Sequence, residues 1–166
     1  MKPILFLTTI LLSFSIANAQ SKIYKVNEYG RNKVPFMMIE GGKIYTTNEY
    51  GRNKTLTAMV ENGIIYTTNE YGRNKTSILM AEGSKIYKIN EYGRNKTLTA
   101  MVEGNKYYFV NEYGRNKTLR AMVDNGIIYA TNEYGRDKIP YMMIEGNYSP
   151  VELHYIYIEY LMSVLR

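Results

Sequence analysis

Apolar and polar residues alternate along this chain in short runs, and the runs recur. In "TLTAMVENGIIYTTNEYGRNK" (55–75) two apolar segments flank Asn62-Gly63, and a polar stretch then closes the unit. The five letters NEYGR begin at Asn27, Asn48, Asn69, Asn90, Asn111 and Asn132, each 21 residues after the last. The repeats end in Gly41-Gly42, Asn62-Gly63, Gly83-Ser84, Gly104-Asn105, Asn125-Gly126 and Gly146-Asn147. All six are dipeptides that close two-residue type I′ or II′ hairpins, where positive φ is required. Glu28-Tyr29-Gly30 and its copies fit a type I turn with Gly in the left-handed position. Segments of about seven or eight residues separate the two turns, an ordinary strand length.

A 21-residue period also suits one coil of a parallel solenoid. Equivalent residues would then stack about 4.8 Å apart, piling six Glu, six Arg and six Lys into like-charge ladders. In an antiparallel meander the equivalents lie two strands apart, roughly 10 Å, with other residues between them. The expected fold is therefore all-β: an antiparallel β-hairpin repeat of six units and about twelve strands, curled as a meander sheet, with a short C-terminal helix.

Two-residue turns fix the register, so cross-strand pairs can be read directly. Around Asn62-Gly63, Glu61 faces Ile64, Val60 faces Ile65 and Met59 faces Tyr66. The Met–Tyr pair recurs as Met38–Tyr45, Met80–Tyr87, Met101–Tyr108 and Met122–Tyr129, a favourable sulfur–aromatic contact. Glu40–Lys43, Glu82–Lys85 and Glu103–Lys106 flank their turns with opposite charges. Tyr and Met share one face with Val26, Thr47, Thr68, Ile89, Val110 and Thr131. The other carries the Ile/Val pairs, the site Met37, Ala58, Leu79, Ala100, Ala121 and Met142, and the variable Lys25, Thr46, Thr67, Lys88, Phe109 and Ala130. Neither face is cleanly polar, so the sheet must curl and bury one, or something must cover the second.

The ends differ from the middle. "VPFMMIEG" (34–41) and "IPYMMIEG" (139–146) resemble each other more than the central "TLTAMVEN". Pro35 and Pro140 near strand starts fit protected edges. The near-identity of 44–61 and 86–103 indicates duplication, and a repeat number free to vary. After Gly146 the pattern stops. Ser149, Pro150 and Glu152 form a capping box with Pro at the first helical position. Leu153, Tyr157, Tyr160, Leu161 and Val164 follow at helical spacing. A helix covering the end or one face of the sheet is expected, although "HYIYIEY" is also rich in strand formers.

At the start, Lys2, the apolar run "ILFLTTILLSFSI" and "ANA" read as a secretory signal cleaved after Ala19. The run is short for a membrane anchor, and no Cys follows to accept a lipid. The expected organisation is a signal peptide at 1–19, a six-repeat β-hairpin domain at 20–147 and a C-terminal capping helix at 148–166. The mature chain is expected to be exported: periplasmic, secreted or at the cell surface. It has no cysteine, so packing and sheet pairing must supply its stability, and thiol chemistry is excluded.

The net charge of +6 suggests nucleic acid. Yet the repeats carry twelve Lys/Arg against twelve Asp/Glu, and the excess lies in scattered residues. A balanced repeat is not a phosphate track, so nucleic acid is disfavoured. Lys recurs on the strands without a lipid-facing apolar band, which argues against an outer-membrane barrel.

Candidate chemistry is sparse. His154 is the only histidine, and a lone His beside apolar residues is usually a packing residue. The Asn-Glu pairs resemble calcium ligands, but each Glu has Arg and Lys close by, which favours ion-paired turns. Thr-x-Thr at Thr55–Thr57 and Thr97–Thr99 is like an ice-binding ladder, broken by Phe36 and Arg120. No enzyme, metal or cofactor is expected. The expected ligand- or partner-binding residues are the turn-tip pairs Tyr29/Arg31, Tyr50/Arg52, Tyr71/Arg73, Tyr92/Arg94, Tyr113/Arg115 and Tyr134/Arg136. Such tips can stack on sugar rings or grip a partner's surface; alternatively each Tyr folds back over its own hairpin.

"YTTNEYGRNKTLTAMVENGIIYTTNEYGR" resembles the YD (Rhs-type) repeat family, in the Tyr three residues before Asn, the x-x-Gly-Arg turn and the second Gly turn before the next Tyr. The resemblance covers about residues 22–146. It implies β-hairpins in a secreted or surface protein, often forming shells or adhesive stalks. Asn stands where that family has Asp, and six repeats are far too few for a large shell. The chain is also similar, more weakly, to MORN-type hairpin repeats. Together these features imply a non-enzymatic structural or adhesive repeat protein displaying Tyr/Arg tips, its partner another copy, another surface protein or a polysaccharide. The alternative is a carbohydrate- or cell-wall-binding module using the same tyrosines.

Overall fold

A computed structural model describes residues 20–165; the expected signal peptide lies outside the described residues. Twelve antiparallel strands form a closed barrel in which β1 pairs with both β2 and β12. They are β1 (Ser21–Lys25), β2 (Val34–Glu40), β3 (Lys43–Thr46), β4 (Thr55–Glu61), β5 (Ile64–Thr67), β6 (Thr76–Glu82), β7 (Lys85–Lys88), β8 (Thr97–Glu103), β9 (Lys106–Phe109), β10 (Thr118–Asp124), β11 (Ile127–Ala130) and β12 (Ile139–Glu145). One helix follows, α1 (Pro150–Val164).

The anticipated register holds: Met59 pairs with Tyr66, Val60 with Ile65 and Glu61 with Ile64. At Asn62-Gly63 both φ angles are positive, as a type I′ turn requires. Strand lengths depart from the expected seven or eight. They alternate between four and seven residues after β1, because the polar arm 47–54 and its copies leave the sheet early. Gly146-Asn147 also departs, since it closes no hairpin and leads into α1 instead. Gly146 has φ +112°, and a Cβ there would lie 2.7 Å from Ser21 Oγ. Only glycine fits where the chain leaves the wall.

Each long strand carries one extra residue that the pattern alone did not reveal. Ile44 pairs with Ala58 while Tyr45 pairs with Leu56, so Thr57 is bulged. The same slip leaves out Phe36, Ile78, Thr99, Arg120 and Tyr141. A bulge adds local twist and bends its strand, and one per repeat helps the meander curl shut. Thr57 and Thr99 donate their hydroxyls to the carbonyls of Ile44 and Ile86, each at 3.1 Å, satisfying acceptors beside the bulge.

Closure overturns two expectations. Pro35 and Pro140 mark no edge, because β2 lies between β1 and β3, and β12 between β11 and β1. Repeat number is not free either, since strand number sets barrel diameter. A lumen bounded by twelve strands is wider than side chains alone can fill, and α1 occupies the surplus. It does not lie over the end or an outer face. Val151 and the run from Leu153 to Tyr157 are all buried, so this half of the helix is enclosed on every side.

The inward row Ile23, Ile44, Ile65, Ile86, Tyr107 and Ile128 is at most 1% exposed. Burying each isoleucine stabilises by about 2 kcal/mol. Ala58, Ala100 and Ala121 occupy the neighbouring inward row and leave room for the helix. Ser149 accepts from Glu152 N while Glu152 accepts from Ser149 N, the capping box expected at its start.

Candidate functional site: the ring of turn tips

Each NEYGR arm is held by its asparagine. Asn48 Oδ1 accepts from the backbone N–H of Tyr50 at 3.1 Å and of Arg52 at 2.8 Å. Asn48 N–H donates to Arg52 O at 3.0 Å, and Gly51 N–H donates to Asn48 O at 2.9 Å. An asparagine side chain that bonds its own downstream backbone makes a stable local turn without tertiary help. Gly51 has φ +70°, the left-handed conformation expected for it, and Asn53 at φ +53° adds a second such residue.

The arms fold back over the outside of the barrel and cover the second apolar face. Gly72 and Gly135 pack on Leu56 and Leu119 of the preceding repeat, Gly51 packs on Pro35, and Gly30 completes the circle on Pro140. The outward-facing Met38, Leu98, Met101, Leu119 and Met122 are consequently buried. In the third repeat Ser77 replaces the leucine and reaches the arm by hydrogen bonds, its Oγ donating to Asn90 O at 2.7 Å and Glu91 O at 3.0 Å.

Beneath the arms a charged lattice runs around the wall. Lys54 lies 5.7 Å above the Tyr45 ring and bonds Glu40 at 2.9 Å. Lys33, Lys75, Lys96 and Lys117 repeat this with Glu145, Glu61, Glu82 and Glu103. Glu40 stands directly opposite Lys43 across its turn, as the register predicted, and its carboxylate bonds Lys54. One expectation is corrected here. Among the described residues the NEYGR glutamates make no ion pair, because the lysine expected to neutralise them reaches back to the preceding repeat instead.

The predicted tips are brought together by closure. All six arms leave the same end of the barrel, and the arm bearing Tyr134 becomes the neighbour of the arm bearing Tyr29. The tyrosines do not shield their own hairpins: Tyr29, Tyr50, Tyr71, Tyr92, Tyr113 and Tyr134 are 73–77% exposed. Arg31, Arg52, Arg73, Arg94, Arg115 and Arg136 beside them are exposed as well.

His154 is engaged inside the barrel. Its Nδ1 lies 2.5 Å from the Tyr107 hydroxyl. Burial lowers its pKa to about 4 and raises that of Tyr107, an arrangement that suits a phenol donating to a neutral imidazole. Among the described residues no group of His, Asp and Glu is placed to hold a metal ion.

Sequence reasoning missed the inner mouth of the barrel, where the bulged residues meet α1. Phe36 packs edge-on against Tyr160, and Tyr141 packs against Tyr157 and Tyr160. The available signal was Leu56 and Met59, two apolar residues three apart on one face of a strand whose period is two. Comparison with known proteins returns no match: no family model, no curated protein and no solved structure is recognisably similar to the chain.

Proposed function

We propose that this chain is a non-enzymatic, exported structural or adhesive protein that presents six Tyr/Arg tips around one mouth of a rigid barrel. The observation that carries the reading is the 73–77% exposure of the tip tyrosines in a repeat whose other tyrosines are stacked under lysine or packed against α1. Exposing six large aromatics at identical positions is hard to explain by stability. A tyrosine on a preformed turn can bury a large amphipathic surface while losing little conformational freedom. Weak contacts at several tips would reinforce one another, because the scaffold holds them at fixed spacing. The signal-like segment 1–19 and the resemblance to YD repeats support export. The non-enzymatic reading rests on His154 being committed to Tyr107 and on glutamates repeated six times rather than converging.

The expected partners are another copy of the chain, another surface protein or a polysaccharide. The polysaccharide reading gains from the exposed Arg and Glu flanking each ring, which offer hydrogen bonds to sugar hydroxyls beside a stacking platform.

The test replaces all six tip tyrosines by serine in the chain 20–166. Retention on insoluble peptidoglycan and cellulose is measured, together with molar mass by light scattering across concentration. The native chain is expected to be retained or to self-associate, and the variant to lose at least tenfold of that binding with unchanged thermal unfolding. A native chain that stays monomeric and binds neither surface, or a variant that behaves as native, contradicts the proposal.

A further inference from the structure

The lumen is filled unevenly. Toward Phe36, Phe109 and Tyr141 the helix presents Tyr157 and Tyr160, with ring centroids 4.8–6.4 Å apart. Toward β5–β8 the wall carries Thr67, Ile78 and Thr99 instead, and the helix presents Tyr155, Ile158 and Glu159. A cavity of about 570 Å³ opens there between α1 and the wall, with Leu79 and Phe109 among its apolar residues. This volume falls within the roughly 300–1,000 Å³ of small-molecule sites.

The charges at the mouth select the ligand. Inward or bulged positions that are mostly Thr, Ala or apolar elsewhere carry Lys25, Lys88 and Arg120. Lys25 lies 4.6 Å from the Phe36 ring centroid, and Arg120 lies 5.3 Å from that of Phe109. Lys88 is exposed and lines the cavity, and among the described residues it has neither an ion-pair nor an aromatic partner. Glu159 is the one acid lining the cavity, and the Tyr155 hydroxyl sits against its carboxylate and Thr57. Lys88 and Glu159 are thus the charged residues lining the cavity; Glu159 is engaged by Tyr155, and the cation left without a partner stands at the rim of an apolar chamber.

We infer that this cavity binds an amphipathic anion, a molecule with an aliphatic body and a carboxylate head, the body lying against Ile78, Leu79, Phe109 and Ile158 and the head on Lys88. The inference is independent of the turn tips, which lie on the outer arms.

The test is calorimetric titration of the chain 20–166 with decanoate, and separately with decylammonium, each below its aggregation concentration. Decanoate is expected to bind one saturable site, with decylammonium at least tenfold weaker. Lys88→Glu should weaken decanoate at least tenfold. Thr99→Phe should abolish binding by filling the chamber. An aromatic at this bulge is already part of the fold, as Phe36 and Tyr141, so the variant has a precedent in its own repeats; Ile78→Phe serves as a second filling variant. Absence of saturable decanoate binding overturns the inference. So does binding unchanged in folded filling variants, or decylammonium binding as tightly as decanoate.

Discussion

Lys33 bonds Glu145 at 2.6 Å although 112 residues separate them. The pair has the form of Lys54–Glu40, in which the partners are 14 residues apart. Glu145 thus stands to the first arm as each earlier glutamate stands to the next, and the lattice of the wall continues through the closure; among the described residues only Lys138 and Asp124 lack the equivalent ion pair.

The Lys33–Glu145 pair gives a small acid-dependent contribution. The Lys33 hydrogen bond, above all, holds the Glu145 carboxyl below its ordinary pKa of 4.5. A carboxylate with a depressed folded pKa contributes fully above the unfolded value and loses that contribution as pH falls through the folded one. Both side chains are over 40% exposed, so the contribution is at most about 1 kcal/mol. Urea midpoints of native and Glu145→Gln chains should differ slightly at neutral pH and converge in acid.

The lumen helix should report on pH more strongly. His154 is buried with its pKa lowered from 6.5 to about 4. Between those values the unfolded chain takes up a proton that the folded chain refuses, so stability falls as pH drops from 6.5 towards 4. The loss should amount to about 3 kcal/mol. Denaturant titrations across this range should show that slope in the native chain and a flatter one in His154→Leu.

Ile156 tests the plug without a charge. It is 0% exposed inside the barrel. Ile156→Ala should cost about 2–5 kcal/mol by opening a cavity in a closed lumen. Chemical denaturation followed by far-ultraviolet circular dichroism would measure it.

The arms predict a distinction between two conservative changes. Asn48 acts through Oδ1, which accepts two backbone hydrogen bonds. Asn48→Asp keeps that acceptor and should leave stability nearly unchanged, whereas Asn48→Ala should cost about 1 kcal/mol. Thermal unfolding of the two variants, side by side, checks the point.

What was legible in the sequence was local. Asn62-Gly63 announced its turn, the turn fixed Met59 against Tyr66, and Ser149 with Glu152 announced the helix start. Closure was not legible, because it depends on twist and bulging summed over twelve strands and brings together residues as distant as Lys33 and Glu145. The place of α1 was hidden for the same reason: an apolar helix with Tyr157 and Tyr160 suits a sheet face as well as a lumen until the barrel is known to close. The tips were legible as residues but not as a ring. The cavity beside Ile78 and Thr99 depends on which half of the lumen the helix aromatics fill, and a repeat pattern averages that asymmetry away.

Closure itself is the central claim, since the ring of tips and the filled lumen both follow from it. Lys22 and Glu145 are direct partners across β1 and β12, and both are exposed. In a chain without cysteine, Lys22→Cys with Glu145→Cys places two thiols on adjacent strands within the Cα separation a disulfide requires. Closure predicts that the double variant oxidises quantitatively as a monomer, keeps its circular dichroism spectrum and unfolds at a higher temperature than its reduced form. A double variant that stays reduced, or that cross-links only between molecules, would show that the sheet is open.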